Sequence, residues 1–473
     1  MGALSPRKIE IVRTLVEAAP DKIVGGLQMA LADTGEDPAL GSVRELVEVE
    51  VHERRLRNTV LQAIAPMCLG DGRDPRSLTF PARVLPLIWR GLRGTAAEEI
   101  EEAELAFSAF SPEETSGEAF DHLARIAAYA LRSRDYPEFR EAAELADAAR
   151  PDGAEQLAAC LELSPVVRRS ALRIPEWLAS FSEESAAAAR LAYKDAVAIA
   201  EDAGPRFFEM LAAQMTYPWM VLRIISEVMD KPNERYLADS EMAGFGERLM
   251  DEMDESMKAI ARLDIDGGPE AGRRAGKLVE LITLQVTELE TYIDLSRDHG
   301  WGHRINKQKT ALAGVVEGRI RDAEKYCLLA LPTERARLRR IRRPQPRLSL
   351  PPDETHVRRA TTLLAFVQEV RSSANYGGFA AARSRMLEHV GEYIDIYVEE
   401  LVDLVKTGDV EDPDRAQAFL GVAADLSLLL RGEKAADLVR RRAAAAANPD
   451  APPVHFDEED DGEAESEHWE RWG

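Results

Sequence analysis

The chain of 473 residues has little cysteine and few aromatic residues. Three cysteines are too few for a disulfide scaffold, and so low a number is typical of proteins in a reducing compartment. Phe, Trp and Tyr make up 6% of the residues, whereas Ala, Leu, Glu and Arg dominate, and this balance favours helix over strand. The composition therefore indicates a helical protein.

Long apolar runs are also missing. No stretch approaches the roughly 18 consecutive apolar residues that span a bilayer, and the first residues, Met1 to Pro6, contain no apolar segment of a secretory signal. We therefore expect a cytoplasmic protein with no membrane insertion. Arg outnumbers Lys about four to one and Ala is abundant, which suggests a GC-rich bacterial genome.

The chain has fewer basic residues than acidic residues. The sequence has 60 Lys and Arg residues against 84 Asp and Glu residues, so its formal net charge is −24. An acidic surface repels phosphates, which argues against broad binding to nucleic acid or to an anionic membrane.

Sequence motifs of known catalytic sites are absent as well. The chain contains no Gly-x-Ser-x-Gly, no His-Glu-x-x-His, no Walker loop and no Gly-x-Gly-x-x-Gly. Cys68, Cys160 and Cys327 are isolated in apolar or Ala-rich sequence, which is typical of buried structural thiols rather than nucleophiles. These observations favour a protein that is not an enzyme and carries no cofactor.

Helix-start signals recur along the chain and strand signals do not, so the sequence predicts an all-α protein. Ser42-x-x-Glu45 has the spacing of a capping box, and Asp152-x-x-Glu155 places an acidic cap before an Ala-rich stretch. Changes in helix length and composition divide the chain into an irregular array of short helices (1–203), a long antiparallel helical bundle (204–331), an Arg/Pro-rich linker (332–352), a second small helical module (353–447) and a disordered acidic tail (448–473).

The longest helices are predicted from apolar residues that recur every three or four positions. They cover residues 236–264, 270–298, 305–331 and 379–405.

One cluster has the composition of a metal site. Asp294, Asp298, His299 and His303 combine carboxylates and imidazoles, which are ligands of zinc and iron. The two glycines between the histidines, however, predict the end of the first helix, so that His299 and His303 would not share a helical face. A capped turn, with His299 near a helix C-terminus, is therefore favoured over a metal site.

Methionines cluster in the middle of the chain. Because thioether side chains repack easily, Met215, Met220 and Met253, together with Trp219, predict an apolar groove for varied partners. Packing of the same residues in the core is the favoured alternative.

The Arg/Pro-rich linker contains Arg339, Arg340, Arg342 and Arg343. Such a cluster can bind phosphates, an acidic protein or an anionic membrane surface, although a plain solvated linker explains it equally simply.

The tail ends in Trp469, Arg471 and Trp472 after a run of acidic residues. Trp and Arg are enriched at binding hot spots, and the i, i+3 spacing would bring both indoles to one face of a docked helix. The tail is therefore either a docking peptide or a solubilising segment.

These patterns favour a non-catalytic interaction protein, an adaptor or regulatory scaffold, that binds one or more proteins through helical surfaces and its acidic tail. Two alternatives stay open: a metal-dependent all-α enzyme centred on His299 and His303, and an anion-binding regulator that acts through the linker arginines. The sequence indicates no oligomeric state.

Overall fold

The computed structural model confirms the all-α class. In its described residues it contains twenty α-helices, and its only strands are two of three residues each. The described residues are 6–32, 38–73, 77–109, 117–133, 135–229, 232–335 and 344–447.

The chain divides into two compact units, Met1–Lys231 (unit 1) and Pro232–Gly473 (unit 2). The helices of unit 1 are α1 (Pro6–Ala18), α2 (Asp21–Ala32), α3 (Pro38–Val60), α4 (Val84–Thr95), α5 (Ala97–Ala109), α6 (Glu118–Ser133), α7 (Arg140–Ala149), α8 (Gly153–Ala171), α9 (Ile174–Ala179), α10 (Glu183–Ile199), α11 (Ala203–Ala213) and α12 (Val221–Val228). The last two pack on α8, α9 and α10, so the residues just after 203 belong to unit 1.

The helices of unit 2 include the longest of the described chain. They are α13 (Glu234–Ala238), α14 (Ala243–Ala261), α15 (Gly268–Tyr292), α16 (Gly300–Ala330), α17 (Glu354–Glu369), α18 (Ala380–Thr407), α19 (Pro413–Arg431) and α20 (Glu433–Ala447). Strands β1 (Thr333–Arg335) and β2 (Pro344–Pro346) pair antiparallel within the segment predicted as a linker.

Helix α6 illustrates how the sequence forms the helices of unit 1. Phe120, Leu123, Ala127 and Leu131 recur every three or four residues and are all buried. They form one apolar face, and this face of α6 packs on α8. Small residues among the apolar ones let the two helices approach closely.

A pair of glycines brings α15 and α17 together in unit 2. Gly272 and Gly276 lie one turn apart on α15. A Cβ atom at Gly272 would lie 2.0 Å from the backbone oxygen of Thr362, and one at Gly276 would lie 2.4 Å from the Cβ of Glu369. Only a residue without a side chain permits this helix crossing.

Arginines from distant helices bind the last carbonyl groups of several helices. Arg168 on α8 donates to the carbonyls of Thr59 (3.0 Å) and Val60 (3.2 Å), the last residues of α3. The Nε atom of Arg168 lies 3.1 Å from a carboxylate oxygen of Asp121. Burial disfavours the charged form of each side chain, so it lowers the pKa of Arg168 and raises the pKa of Asp121. Carbonyls at a helix C-terminus lack intrahelical donors, so a cation there satisfies them and opposes the helix dipole.

Two predicted helix starts have different outcomes. The capping box Ser42-x-x-Glu45 is wrong, because α3 begins earlier, at Pro38, a residue that suits the first turn since it has no N–H to satisfy. Asp152 does occupy the N-cap position of α8, in a left-handed conformation with φ 54°, but its side chain makes no capping hydrogen bond.

The predicted helix 236–264 is interrupted. The hydroxyl of Ser240 donates to the carbonyl of Leu237 (2.8 Å) and accepts from the N–H of Met242 (3.1 Å). A Ser side chain that bonds to nearby backbone competes with helical hydrogen bonds, so α13 ends before Ser240 and α14 begins after it.

Candidate functional site

Helix α3 is fixed in unit 1 by two of its charged residues. The guanidinium of Arg54 is buried and donates to Asp21 on α2 (2.6 Å), to Glu50 on α3 (2.6 Å) and to the carbonyl of Val16 at the end of α1 (3.0 Å). A single side chain thus holds the first three helices together with charge-assisted bonds.

The second fixing residue is Glu53. One carboxylate oxygen, Oε1, accepts from Trp89 Nε1 (3.0 Å) and from Arg93 Nη1 (2.7 Å), and both donors lie on α4. These bonds link α4 to α3, and Glu45, Glu48 and Val49 on the preceding turns of α3 are exposed.

Two clefts flank this open face of α3. The cleft towards α4 and α5 has a volume of about 390 Å³ and is lined by Glu48, Val49, His52, Glu53, Trp89, Arg93, Ile100 and Glu104. The cleft towards α1 has a volume of about 440 Å³ and is lined by Ile9, Arg13, Val16, Glu17, Ser42, Glu45, Leu46, Val49, Glu50, Glu53 and Arg93. Val49, Glu53 and Arg93 border both clefts, so the clefts form one continuous surface, which we call the α3 surface.

Charge and apolarity are combined on the α3 surface. Val49, at its centre, is 60% exposed, and Glu45 and Glu48 beside it are also exposed. Helix α5, which borders one cleft, has five glutamates and no Lys or Arg. The surface therefore offers apolar contact within a negative field.

Exposed apolar side chains are concentrated around the same helices. Of the 21 large hydrophobic residues exposed in the described part of the chain, seven lie between residues 11 and 49. Ile11 and Leu15 are spaced i, i+4 on α1, and Ile23 and Leu27 have the same spacing on α2, so each helix presents an apolar pair to solvent. Single exposed apolar residues are ordinary, but such a concentration is typical of a binding surface.

Two further clefts of unit 1 share Tyr136. The cleft of about 410 Å³ between Tyr136 and Tyr129 contains both Glu99 and Arg125. The other, of about 220 Å³, contains acidic residues together with Arg140. The charges that line each of these two clefts nearly balance, whereas six glutamates and two arginines line the clefts of the α3 surface.

The residues predicted as a metal cluster lie at the start of α16. His299 occupies the N-cap position, and its Nδ1 lies 2.8 Å from the hydroxyl of Ser296. Within the described residues, no group of three or more His, Cys, Asp or Glu side chains is arranged to hold a metal ion. Asp294 instead uses its backbone, whose carbonyl accepts from the N–H of Glu234 (3.0 Å), while Asp298 and His303 are exposed.

The predicted role of the glycines beside the histidines is wrong. Helix α15 ends at Tyr292, well before them, and Gly300 and Gly302 form the first turn of α16. His299 is consequently at a helix N-terminus and not, as expected, near a C-terminus. Gly300 has φ +61°, a conformation that glycine adopts without steric cost.

A buried carboxylate binds the backbone at the start of α16, and no pattern in the sequence predicts this contact. Glu234 on α13 is 6% exposed, and its Oε2 accepts from the N–H groups of Ser296 (3.0 Å) and Gly302 (2.9 Å). A negative charge at a helix N-terminus satisfies free N–H groups and interacts favourably with the dipole. No signal in the sequence points to Glu234, because its partners lie more than 60 residues away.

The predicted apolar groove is divided between the two units. Met215, Trp219 and Met220 belong to unit 1, where Met215 is buried and the other two are half-buried. Met253 belongs to unit 2 and is fully buried on α14, as a core residue is.

The three cysteines lie in the core. Burial raises the pKa of the Cys160 and Cys327 thiols to about 12, and it also raises the pKa of Cys68 far above its ordinary value. Thiols in this state are not nucleophiles at neutral pH.

The remaining predicted binding residues lie outside the described part of the chain. They are Arg339, Arg340, Arg342 and Arg343 of the linker and Trp469, Arg471 and Trp472 of the tail. Among the described helices, none has both the length and the apolar character to cross a membrane.

Comparison with known proteins gives no relative for this chain. No family model, no curated protein and no solved structure matches it.

Proposed function

We propose that this protein is a non-catalytic helical interaction protein, an adaptor or regulatory scaffold. The observation that carries the proposal is the concentration of exposed apolar residues on α1, α2 and α3. Solvent contact with these side chains is unfavourable, and a partner that covers them gains roughly 25 cal/mol for each Å² of apolar surface removed from water.

The acidic tail with Trp469 and Trp472 is the second binding element of the proposal, and the sequence alone supports it. An exposed indole is a frequent anchor in protein interfaces. The composition and the charge of the chain favour protein partners in a bacterial cytoplasm over nucleic acid.

Affinity enrichment from the source cells tests the proposal. The bait carrying Leu15→Glu and Leu27→Glu places two charges on the apolar pairs of α1 and α2. The matched control carries Leu172→Glu and Leu191→Glu, two exposed leucines elsewhere in unit 1. We expect the first variant to lose proteins that the wild type and the control retain, and a chain ending at Asn448 to lose those bound by the tail.

The proposal fails if the first variant and its control capture the same proteins in the same amounts as the wild type. Circular dichroism of each bait shows that a lost partner does not reflect a lost fold. A stoichiometric metal in the purified chain would favour the alternative of a metal-dependent enzyme. Salt-sensitive binding to nucleic acid would favour the anion-binding regulator.

A further inference from the structure

The α3 surface has the shape of a site for a helix. Its exposed part runs from Ser42 to Glu53, which corresponds to about 17 Å and three helical turns. Val49 borders both clefts, and these contain Leu46 on one side and Ile100 on the other. An amphipathic helix that lies on such a surface places side chains spaced i, i+3, i+4 and i+7 in the clefts.

Most of the charge on the α3 surface is negative. Glu45 and Glu48 are exposed beside Val49, Glu17 lines the cleft towards α1, and Glu104 lines the cleft towards α5.

The two arginines in the clefts do not cancel this charge. Arg93 donates to Glu53 (2.7 Å), and Arg13 lies 3.6 Å from Glu10. Six glutamates and two arginines line the two clefts, so the α3 surface has a net negative charge, although Glu48 also lies 4.0 Å from Arg44 one turn earlier on α3.

On this basis we infer that the α3 surface binds an amphipathic helix of a partner protein that carries Lys or Arg on its polar face. The inference rests on the proposed function and names the chemistry of the partner. Apolar residues of the partner helix cover Val49 and fill the two clefts. Its basic residues pair with Glu45 and Glu48, which attract the partner and orient it on α3.

Designed peptides test the inference on the full chain. The probe is an 18-residue peptide with Leu at i, i+3, i+4 and i+7 and Lys at the other positions. A second peptide has the same composition in an order that abolishes the apolar face, and a third has Glu in place of Lys. Fluorescence anisotropy measures the binding of each peptide at about 0.05 M and 0.5 M salt, because screening weakens exposed ion pairs.

We expect the first peptide to bind most tightly, and the reordered peptide about tenfold more weakly. Glu45→Lys with Glu48→Lys should weaken binding of the first peptide about tenfold at low salt. The control Asp195→Lys with Glu201→Lys changes the net charge equally at exposed positions of the same unit. It should change binding by less than about threefold, which separates local pairing from the attraction of the whole acidic chain.

Equal binding of the ordered and reordered peptides, or equal effects of the two pairs of substitutions, would overturn the inference. The proposed function is judged separately. If the Leu15 and Leu27 variant loses cellular partners while the peptides do not discriminate, only the inference fails. If the peptides discriminate but that variant loses no partner, the proposed function fails as stated.

Discussion

The carboxylate of Glu234 accepts a hydrogen bond from the backbone N–H of Gly302, 68 residues further along the chain. It thereby binds the N-terminus of α16, the 31-residue helix of unit 2. Gly300 makes the approach feasible, since a Cβ atom there would lie 2.3 Å from the other carboxylate oxygen. One acidic side chain and one glycine thus fix how α13 and α16 meet.

Replacing Glu234 with Gln should lower the free energy of unfolding by about 1–3 kcal/mol. Gln preserves the shape but removes the charge that faces the helix N-terminus. Urea unfolding followed by circular dichroism measures the change. The control Glu241→Gln alters an exposed acid in the turn before α14 and should leave the midpoint unchanged. Equal midpoints for the two variants would show that the Glu234 contact contributes little.

A methyl group at Gly272 should destabilise unit 2 by about 1–3 kcal/mol, because it would overlap the carbonyl of Thr362 and force α15 and α17 apart. The matched variant is Gly314→Ala, in the middle of α16, where a Cβ atom meets nothing within 4 Å. That variant should be neutral or more stable by roughly 0.5–1 kcal/mol. The urea midpoints of the two variants should therefore move in opposite directions, and a shared direction would contradict the packing of α15 on α17.

The sequence predicts the features of this structure that arise from residues close together in the chain, and it does not predict contacts between residues far apart in the chain. The helical class and the bounds of α18 follow closely from the spacing of apolar residues, because burial of one helix face is a repeating local pattern. The spacing also predicts α15 and α16, but α15 ends at Tyr292 rather than at 298 and α16 begins at Gly300 rather than at 305. The contact between Glu234 and Gly302 and the contact between Arg168 and Thr59 join residues 68 and 109 positions apart. No local pattern marks such partners.

No local pattern marks the α3 surface either. Trp89 and Arg93 bind Glu53 across 36 and 40 residues and link α4 to one end of this surface. The residues with distinctive chemistry in the sequence lie elsewhere, such as the histidines of the His-Gly-Trp-Gly-His stretch. The structure uses His299 and the glycines beside it to begin a helix.

The three thiols should resist modification in the folded protein. Burial raises the pKa of Cys160 and Cys327 to about 12, so at pH 8 their thiolate forms are scarce and shielded from reagents. A time course with an aromatic disulfide reagent should release almost no chromophore from the native chain. About three equivalents should appear in guanidinium chloride, in line with the cysteine content. Rapid labelling of the native chain would show that a cysteine is accessible.

Replacing His299 and His303 together with Gln should leave the metal content unchanged. The imidazole of His299 lies 2.8 Å from the hydroxyl of Ser296, and the residue occupies the N-cap position of α16. Elemental analysis of both proteins, purified in parallel, makes the comparison. One equivalent of zinc or iron in the wild type that disappears in the variant would move the enzyme alternative ahead of the proposed function.

Site-specific photo-crosslinking in the source cells shows whether α1 to α3 form a partner-binding surface. A photoreactive amino acid at Val49, which is 60% exposed, reports on partners of the α3 surface, and one at Leu191, which is also 60% exposed, serves as the control. We expect a discrete crosslinked protein from position 49 that is absent from position 191 and is lost with Glu45→Lys and Glu48→Lys. Identical crosslinking from both positions, or none from either, would contradict this expectation.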